Sequence, residues 1–198
     1  MERSVYDDFV NRYAERASKI VVGPPSDKAT EVGALVHPEH YAKVLSYVEI
    51  GKTEARLVAG GSRPAHLPEG NYLEPTVFAD VPSTARIFQE EIFGPVVAIT
   101  PFDTEEEAIS LANDVKYGLA GYVWTENLGR AHRVSSSIDA GMVWVNSHNI
   151  RDLRTPFGGV KASGVGHEGG HRSIDFYTNE QIVHVATGDV HTPRFGAR

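Results

Sequence analysis

The chain has 198 residues, 41% of them apolar and 23% charged, with a formal net charge of −7, an ordinary globular composition large enough to bury a core. The acidic balance argues against nucleic acid or an anionic membrane surface as a partner. There is no cysteine, so a disulfide framework, a cysteine zinc site and a thiolate supplied by these residues are excluded.

The N-terminal MERSVYDDFVNRY mixes both charge signs and has no apolar stretch of signal-peptide length. No run reaches the roughly 18 apolar residues of a membrane span, so the cytoplasm is the expected compartment. Residues 4–20 read as an amphipathic helix capped by Ser4, with Tyr6, Val10, Tyr13 and Ala17 on one face. Gly23-Pro24-Pro25 ends any helix. A second helix is expected from Pro38, with Tyr41, Val44, Leu45 and Val48 as its apolar stripe. Arg56–Ala59 reads as a strand, 60–71 as a polar surface loop and Thr76–Phe78 as a further strand. Residues 95–102 are β-rich. Asp103 with Glu106 forms a capping box for a helix to about Val115. A strand over 118–125, a helix from the Asn127 cap to about Ile138 and a strand over 140–146 follow. This alternation predicts an α/β fold, with a mainly parallel sheet and flanking helices.

After Asn146 the regular pattern stops. Residues 147–171 form a long loop with six glycines between Gly158 and Gly170, following a strand's C-terminal end, where α/β folds place ligands. Residues 175–187 then read as a strand, and the tail beyond gives no clear element.

The loop contains His167-Glu168-x-x-His171, the literal pattern of a zinc peptidase. Such a site needs both histidines one turn apart on a helix. Gly169 and Gly170 occupy the middle positions, and the pair costs about 2 kcal/mol of helix stability relative to alanine. The extended pattern wants a glycine and a histidine where Ile174 and Tyr177 stand, and no glutamate follows Glu180. A metallopeptidase is therefore a remote alternative, and no metal is expected.

Three segments carry a different resemblance: QEEIFGPV at 89–96, VWVNSHNIRDLRTPFGGVKASGVG at 143–166 and EGGHRSIDFYT at 168–178. In motif, order and separation they resemble the aldehyde dehydrogenase superfamily, from residue 1 to about residue 190. The loop looks most like the branch that oxidises hydroxymuconic semialdehydes in aromatic-acid breakdown, 5-carboxymethyl-2-hydroxymuconate semialdehyde among them. The likeness is to the C-terminal portion of a full-length member.

The resemblance implies a fold: residues 1–174 as part of the catalytic domain, and 175–198 as an oligomerisation strand and tail, so that a homo-oligomer is expected. It also implies site residues. Glu91 matches the glutamate that accepts from the nicotinamide-side ribose of NAD, and a carboxylate can accept from two vicinal hydroxyls. Phe93 matches the phenylalanine packed near the nicotinamide. Phe157 matches a residue lining the substrate tunnel, and Gly158 and Gly159 allow turns that a side chain would block. Arg151 and Arg154 shape the tunnel mouth, and arginine binds carboxylate in a bidentate fork; at least one of them, Arg151 slightly favoured, anchors the substrate's acid group. Glu168 matches a glutamate near the general base, suited to a proton relay through water. His167 stands where relatives often carry arginine, and His171 is expected to be exposed.

Family members attack the aldehyde with a cysteine thiolate, and MERSVYDDFV resembles the segment after that cysteine. The general-base glutamate block, the oxyanion-hole asparagine and the glycine-rich NAD turn have no match here. The expectation is a fragment or truncated product of an NAD-dependent semialdehyde dehydrogenase, inactive alone. The alternative is a non-catalytic assembly partner of a full-length enzyme.

Overall fold

A computed structural model describes residues 1–191 and 196. A 3-10 turn at Arg3–Val5 leads into α1 (Tyr6–Ser18). Ser4 does not cap it. Glu2 is the cap of the leading turn, its carboxylate accepting from the Ser4 N–H at 3.1 Å, and α1 itself has no side-chain cap. Then come α2 (Pro38–Glu54), β1 (Arg56–Ala59), β2 (Thr76–Ala79) and α3 (Arg86–Gln89). They are followed by β3 (Val96–Ala98), α4 (Glu105–Asn113), β4 (Tyr117–Gly118) and β5 (Ala120–Val123). The last are α5 (Leu128–Ser137), β6 (Met142–Val145), β7 (Val160–Lys161) and α6 (Gly170–Tyr177).

Strand β2 lies at the centre of a three-stranded sheet, antiparallel to β1 and parallel to β3. All four of its residues are buried, as expected of a strand covered on both faces. Alternation divides them. Phe78 packs with Val44 and Val48 of α2 and with Ile87, while Val77 and Ala79 pack with Tyr6, Val10 and Ala17 of α1. The sheet is thus the middle of a helix–sheet–helix sandwich, and its core sets the position of α2.

The capping box of α4 sits one residue later than expected. Thr104 Oγ1 accepts from the Glu107 N–H at 3.1 Å, and Glu107 Oε2 accepts from the Asp103 N–H at 2.7 Å. Asn127 caps α5 as expected, accepting from the Arg130 N–H at 2.9 Å. The ends of α4 and α5 are tied by Asn113, whose side chain donates to Ser137 O and accepts from the Asp139 N–H, both at 2.8 Å.

The expected mainly parallel sheet is not found. Among the described residues there are three sheets: β1-β2-β3, an antiparallel pair β4-β7 and a parallel pair β5-β6. Strand–helix alternation tells that β5, α5 and β6 form a crossover unit, and they do. It does not tell whether the strand after α4 lands beside β3, and β4 and β5 pair elsewhere.

The C-terminal strand expected over 175–187 is also corrected. Residues 175–177 close α6, where Thr178 Oγ1 donates to Ile174 O at 2.6 Å. Residues 178–187 pair with no strand among the described residues. A strand needs an edge to join, and Ile182, Val183 and Val185 stay exposed. Residues 192–195 and 197–198 of the tail lie outside the described residues. No described helix is long and apolar enough to cross a membrane.

Candidate functional site

The site is built from two segments. The first is the turn after α3, residues 90–94. Glu90 is gripped by the Arg86 guanidinium, with two contacts of 2.9 Å, and by the Tyr47 hydroxyl, which donates at 2.6 Å. The arginine first and the phenol second hold the Glu90 carboxyl down at about 2. Its neighbour Glu91 is exposed and in no ion pair among the described residues. Phe93 has φ 60°, and the residue is 76% exposed. A bulky residue in the left-handed region is a strained conformation of the kind found at functional sites. Gly94 makes the turn possible, because a Cβ there would stand 2.7 Å from Val44 Cγ1.

The Glu90 grip has a testable pH signature. Its folded carboxyl titrates below the ordinary 4.5, so the contribution to stability is complete above 4.5 and is lost as the pH falls toward about 2. Thermal unfolding of the native chain and Glu90→Gln should differ at pH 6 and converge as pH 2 is approached. A difference constant over that range would rule the account out.

The second segment is the loop between β6 and α6. Trp144 and Tyr122, paired across β6 and β5, stack with ring centroids 5.3 Å apart, and His148 lies on Tyr122 at 4.8 Å. The Trp144 indole N–H donates to Ile150 O at 2.8 Å. The start of the loop is thus fastened to the strand pair immediately before Arg151. The Arg151 guanidinium lies 3.9 Å from the centroid of the Phe157 ring, a cation–π contact. Phe157 and Glu168 pair backbone to backbone in both directions at 2.7 Å. Farther on, β7 pairs with β4, and Lys161 Nζ donates to Asn113 O and Val115 O at 3.1 and 3.2 Å. Gly158 and Gly159 keep φ outside the left-handed region, and close approach explains them: a Cβ on Gly158 would be 2.6 Å from Gly166 O.

Arg151, Phe157 and the backbone of Glu168 are therefore one cluster. Arg154 is not part of it. It forks onto Asp152, Nη2 to Oδ2 at 2.6 Å, and the two hold each other charged, the arginine raised and the aspartate lowered by that hydrogen bond. Arg151 has no acidic partner within ion-pair distance among the described residues.

The His167–His171 pattern does not sit on a helix. Helix α6 starts at Gly170, and Gly169 and Gly170 have φ 82° and 60°, so the histidines are not one helical turn apart. His171 is exposed.

Two clefts share one wall. A cleft of about 420 Å³ is lined by Glu91, Tyr117, Leu119, Tyr122 and Ser163. A second, of about 190 Å³, is lined by Phe157, Ser163, His167, Glu168 and Phe176. Ser163, whose hydroxyl accepts from the Gly118 N–H at 2.9 Å, stands between the Glu91 side and the Glu168 side. Sequence reasoning missed Ser163, the Tyr122–Trp144–His148 stack and the α2 residues that hold the turn. The last had a visible signal, a polar stripe at His40, Lys43 and Tyr47 beside the apolar one.

A model of the aldehyde dehydrogenase family matches residues 1–183. The chain is 50% identical over 176 residues to 5-carboxymethyl-2-hydroxymuconate semialdehyde dehydrogenase of Escherichia coli, covering 86% of this chain and 37% of that protein. It is 44% identical over 194 residues to betaine aldehyde dehydrogenase of Cereibacter sphaeroides, covering 98% of this chain and 40% of that protein. Among solved structures, HpcC of Thermus thermophilus superposes with a TM-score of 0.90 at 51% identity, over 99% of this chain and 39% of that one. The NAD⁺ complex of an aldehyde dehydrogenase from Bacillus cereus gives 0.86 at 43%, over 90% of this chain and 36% of that one. The chain thus spans about two-fifths of the length of these relatives.

Proposed function

The chain belongs to the aldehyde dehydrogenase family, and from that premise we propose that it serves an NAD-dependent oxidation of a hydroxymuconate-type semialdehyde to its carboxylic acid. The observation that carries the substrate class is Arg151. It lies over Phe157, whose backbone pairs with that of Glu168, and has no acidic partner among the described residues, whereas Arg154 is already engaged by Asp152. A guanidinium free to fork onto a carboxylate suits an acidic aldehyde and repels a cationic one.

The residues present fit NAD. Glu91 offers an exposed carboxylate for the vicinal ribose hydroxyls, and the exposed Phe93 ring offers a flat face. When bound, NAD supplies the hydride acceptor. The chain's own residues do the rest that it can do. Arg151 holds the substrate's acid group, Phe157 lines its path, and Glu168 exchanges a proton with the water that ends up in the product acid. The thiolate that family chemistry requires does not come from these residues, which include no cysteine.

A chimera tests the reading. Residues 1–183 replace the matching stretch of a relative that supplies the thiolate, and two aldehydes of similar size are compared. The expected kcat/KM is at least about tenfold higher for the acidic semialdehyde than for a trimethylammonium aldehyde. Equal rates, or a preference for the cation, would overturn the substrate assignment.

A second reading rests on residues 178–187, whose Ile182, Val183 and Val185 are 79, 70 and 76% exposed and without a strand partner among the described residues. Such a segment suits addition to the sheet edge of another subunit, either as a homo-oligomer contact or as the docking element of a non-catalytic assembly partner. Co-purification with a larger dehydrogenase, abolished by Val183→Asp with Val185→Asp, is the expected result for the second case.

A further inference from the structure

Helix α2 touches the 90–94 turn at four successive places. The Tyr47 hydroxyl donates to Glu90. Lys43 Nζ donates to Glu91 O at 3.2 Å. His40 Nε2 meets Phe93 O at 2.8 Å, and its ring lies edge-on to the Phe93 ring at 6.3 Å. Val44 fills the space left by the missing Gly94 side chain. A carbonyl only accepts, so His40 Nε2 carries the proton. Residues 40, 43, 44 and 47 stand at i, i+3, i+4 and i+7, one face of a helix. Val44 is fully buried in the sheet core, so the face cannot rotate.

We infer that this face is a positioning rack: His40 and Lys43 bind the carbonyls of Phe93 and Glu91, and so hold the turn in the strained form that presents the Glu91 carboxylate and the Phe93 ring. The strain makes the rack necessary. Left to itself, a phenylalanine at φ 60° relaxes toward the extended region, which relieves the backbone strain. Each tie offsets part of that strain through a hydrogen bond, so removing either one favours release of the turn. His40 and Lys43 are therefore positioning residues, acting through Glu91 and Phe93 and not on the reacting atoms. The functional meaning rests on the NAD reading above, but the rack itself does not.

The test uses the chain as it is. Chymotrypsin cleaves after exposed phenylalanine only when the local backbone opens into an extended form, and cleavage tracks the open population. Cleavage at Phe93–Gly94, followed by mass spectrometry, is expected to rise about tenfold in His40→Ala and in Lys43→Met, with the midpoint of global unfolding unchanged. His40→Gln and Lys43→Arg each keep a donor within reach and are expected to restore slow cleavage. Unchanged cleavage in both deletion variants overturns the rack. So does a rise in cleavage matched by a fall in global stability, or a rise that the donor-keeping variants fail to reverse. None of these outcomes bears on whether the site takes NAD. Conversely, failure of the chimera to use NAD would leave the rack standing as a structural device.

Discussion

Mixed with NAD and a hydroxymuconate-type semialdehyde, the purified 198-residue chain is expected to form no NADH. The reason is chemical. Hydride leaves an aldehyde carbon readily only after a nucleophile has added to it, because addition makes the carbon tetrahedral and places negative charge on the oxygen. The family's nucleophile is a thiolate, and none of the residues here is a cysteine. The other nucleophile types present, serine, threonine and lysine, are weak at their ordinary pKa unless a base or a desolvating pocket activates them. Removing the nucleophile or base from an enzyme that relies on one costs on the order of 10⁴–10⁶ in turnover, which puts any residual rate below detection. Absorbance at the NADH band over hours is the measurement. The chimera is the positive control, since the same residues in the company of a thiolate should turn over. A steady rate from the chain alone, resistant to thiol-blocking reagents, would show that a different residue starts the reaction.

Arg151→Ala, made in the chimera, is expected to raise KM for the acidic semialdehyde by about 10–100-fold and to leave KM for a neutral aldehyde within about twofold. A charge-assisted hydrogen bond is worth about 1.5–3 kcal/mol, and tenfold corresponds to about 1.4 kcal/mol. The carboxylate is remote from the reacting carbon and unchanged during hydride transfer, so it is bound alike in ground and transition states. The loss should therefore appear in KM and not in kcat. Arg151→Lys recovers only part of it, since an ammonium keeps the charge but not the fork. Arg154→Ala is the internal comparison. Its side chain is 89% exposed and already paired with Asp152, so a small effect is expected. If both alanine variants leave KM for the acidic substrate unchanged, neither arginine anchors the acid group.

The difference between the two arginines illustrates what local sequence conveys. Arg154 lies two residues from Asp152 and folds back on it. Arg151 lies one residue from the same aspartate and instead crosses to Phe157. Residue type and spacing favoured Arg151 only slightly. What separates them is the anchoring of the loop by Trp144 and the return of residues 157–168 on themselves, and both are long-range facts.

The sequence by itself determined the short-range elements. The α2 stripe, the strands at Arg56–Ala59 and 140–146, the Asn127 cap and the turn signals all depend on periods of two or 3.6 residues, which a window of a few positions contains. It also determined the family, because the three motifs are long and ordered, and it discounted the zinc pattern, because glycine is a poor helix former wherever it stands. Tertiary structure alone decided the rest. That β3 and β5 belong to different sheets, that 175–177 close a helix and leave 178–187 unpaired among the described residues, and that Ser163 divides two clefts depends on which edges meet. The α2 rack reaches from Lys43 to Glu91 and from His40 to Phe93. Contacts between residues so far apart in sequence are specified by the packing of Val44, Val48 and Phe78 between them, and that packing is a property of the folded core as a whole.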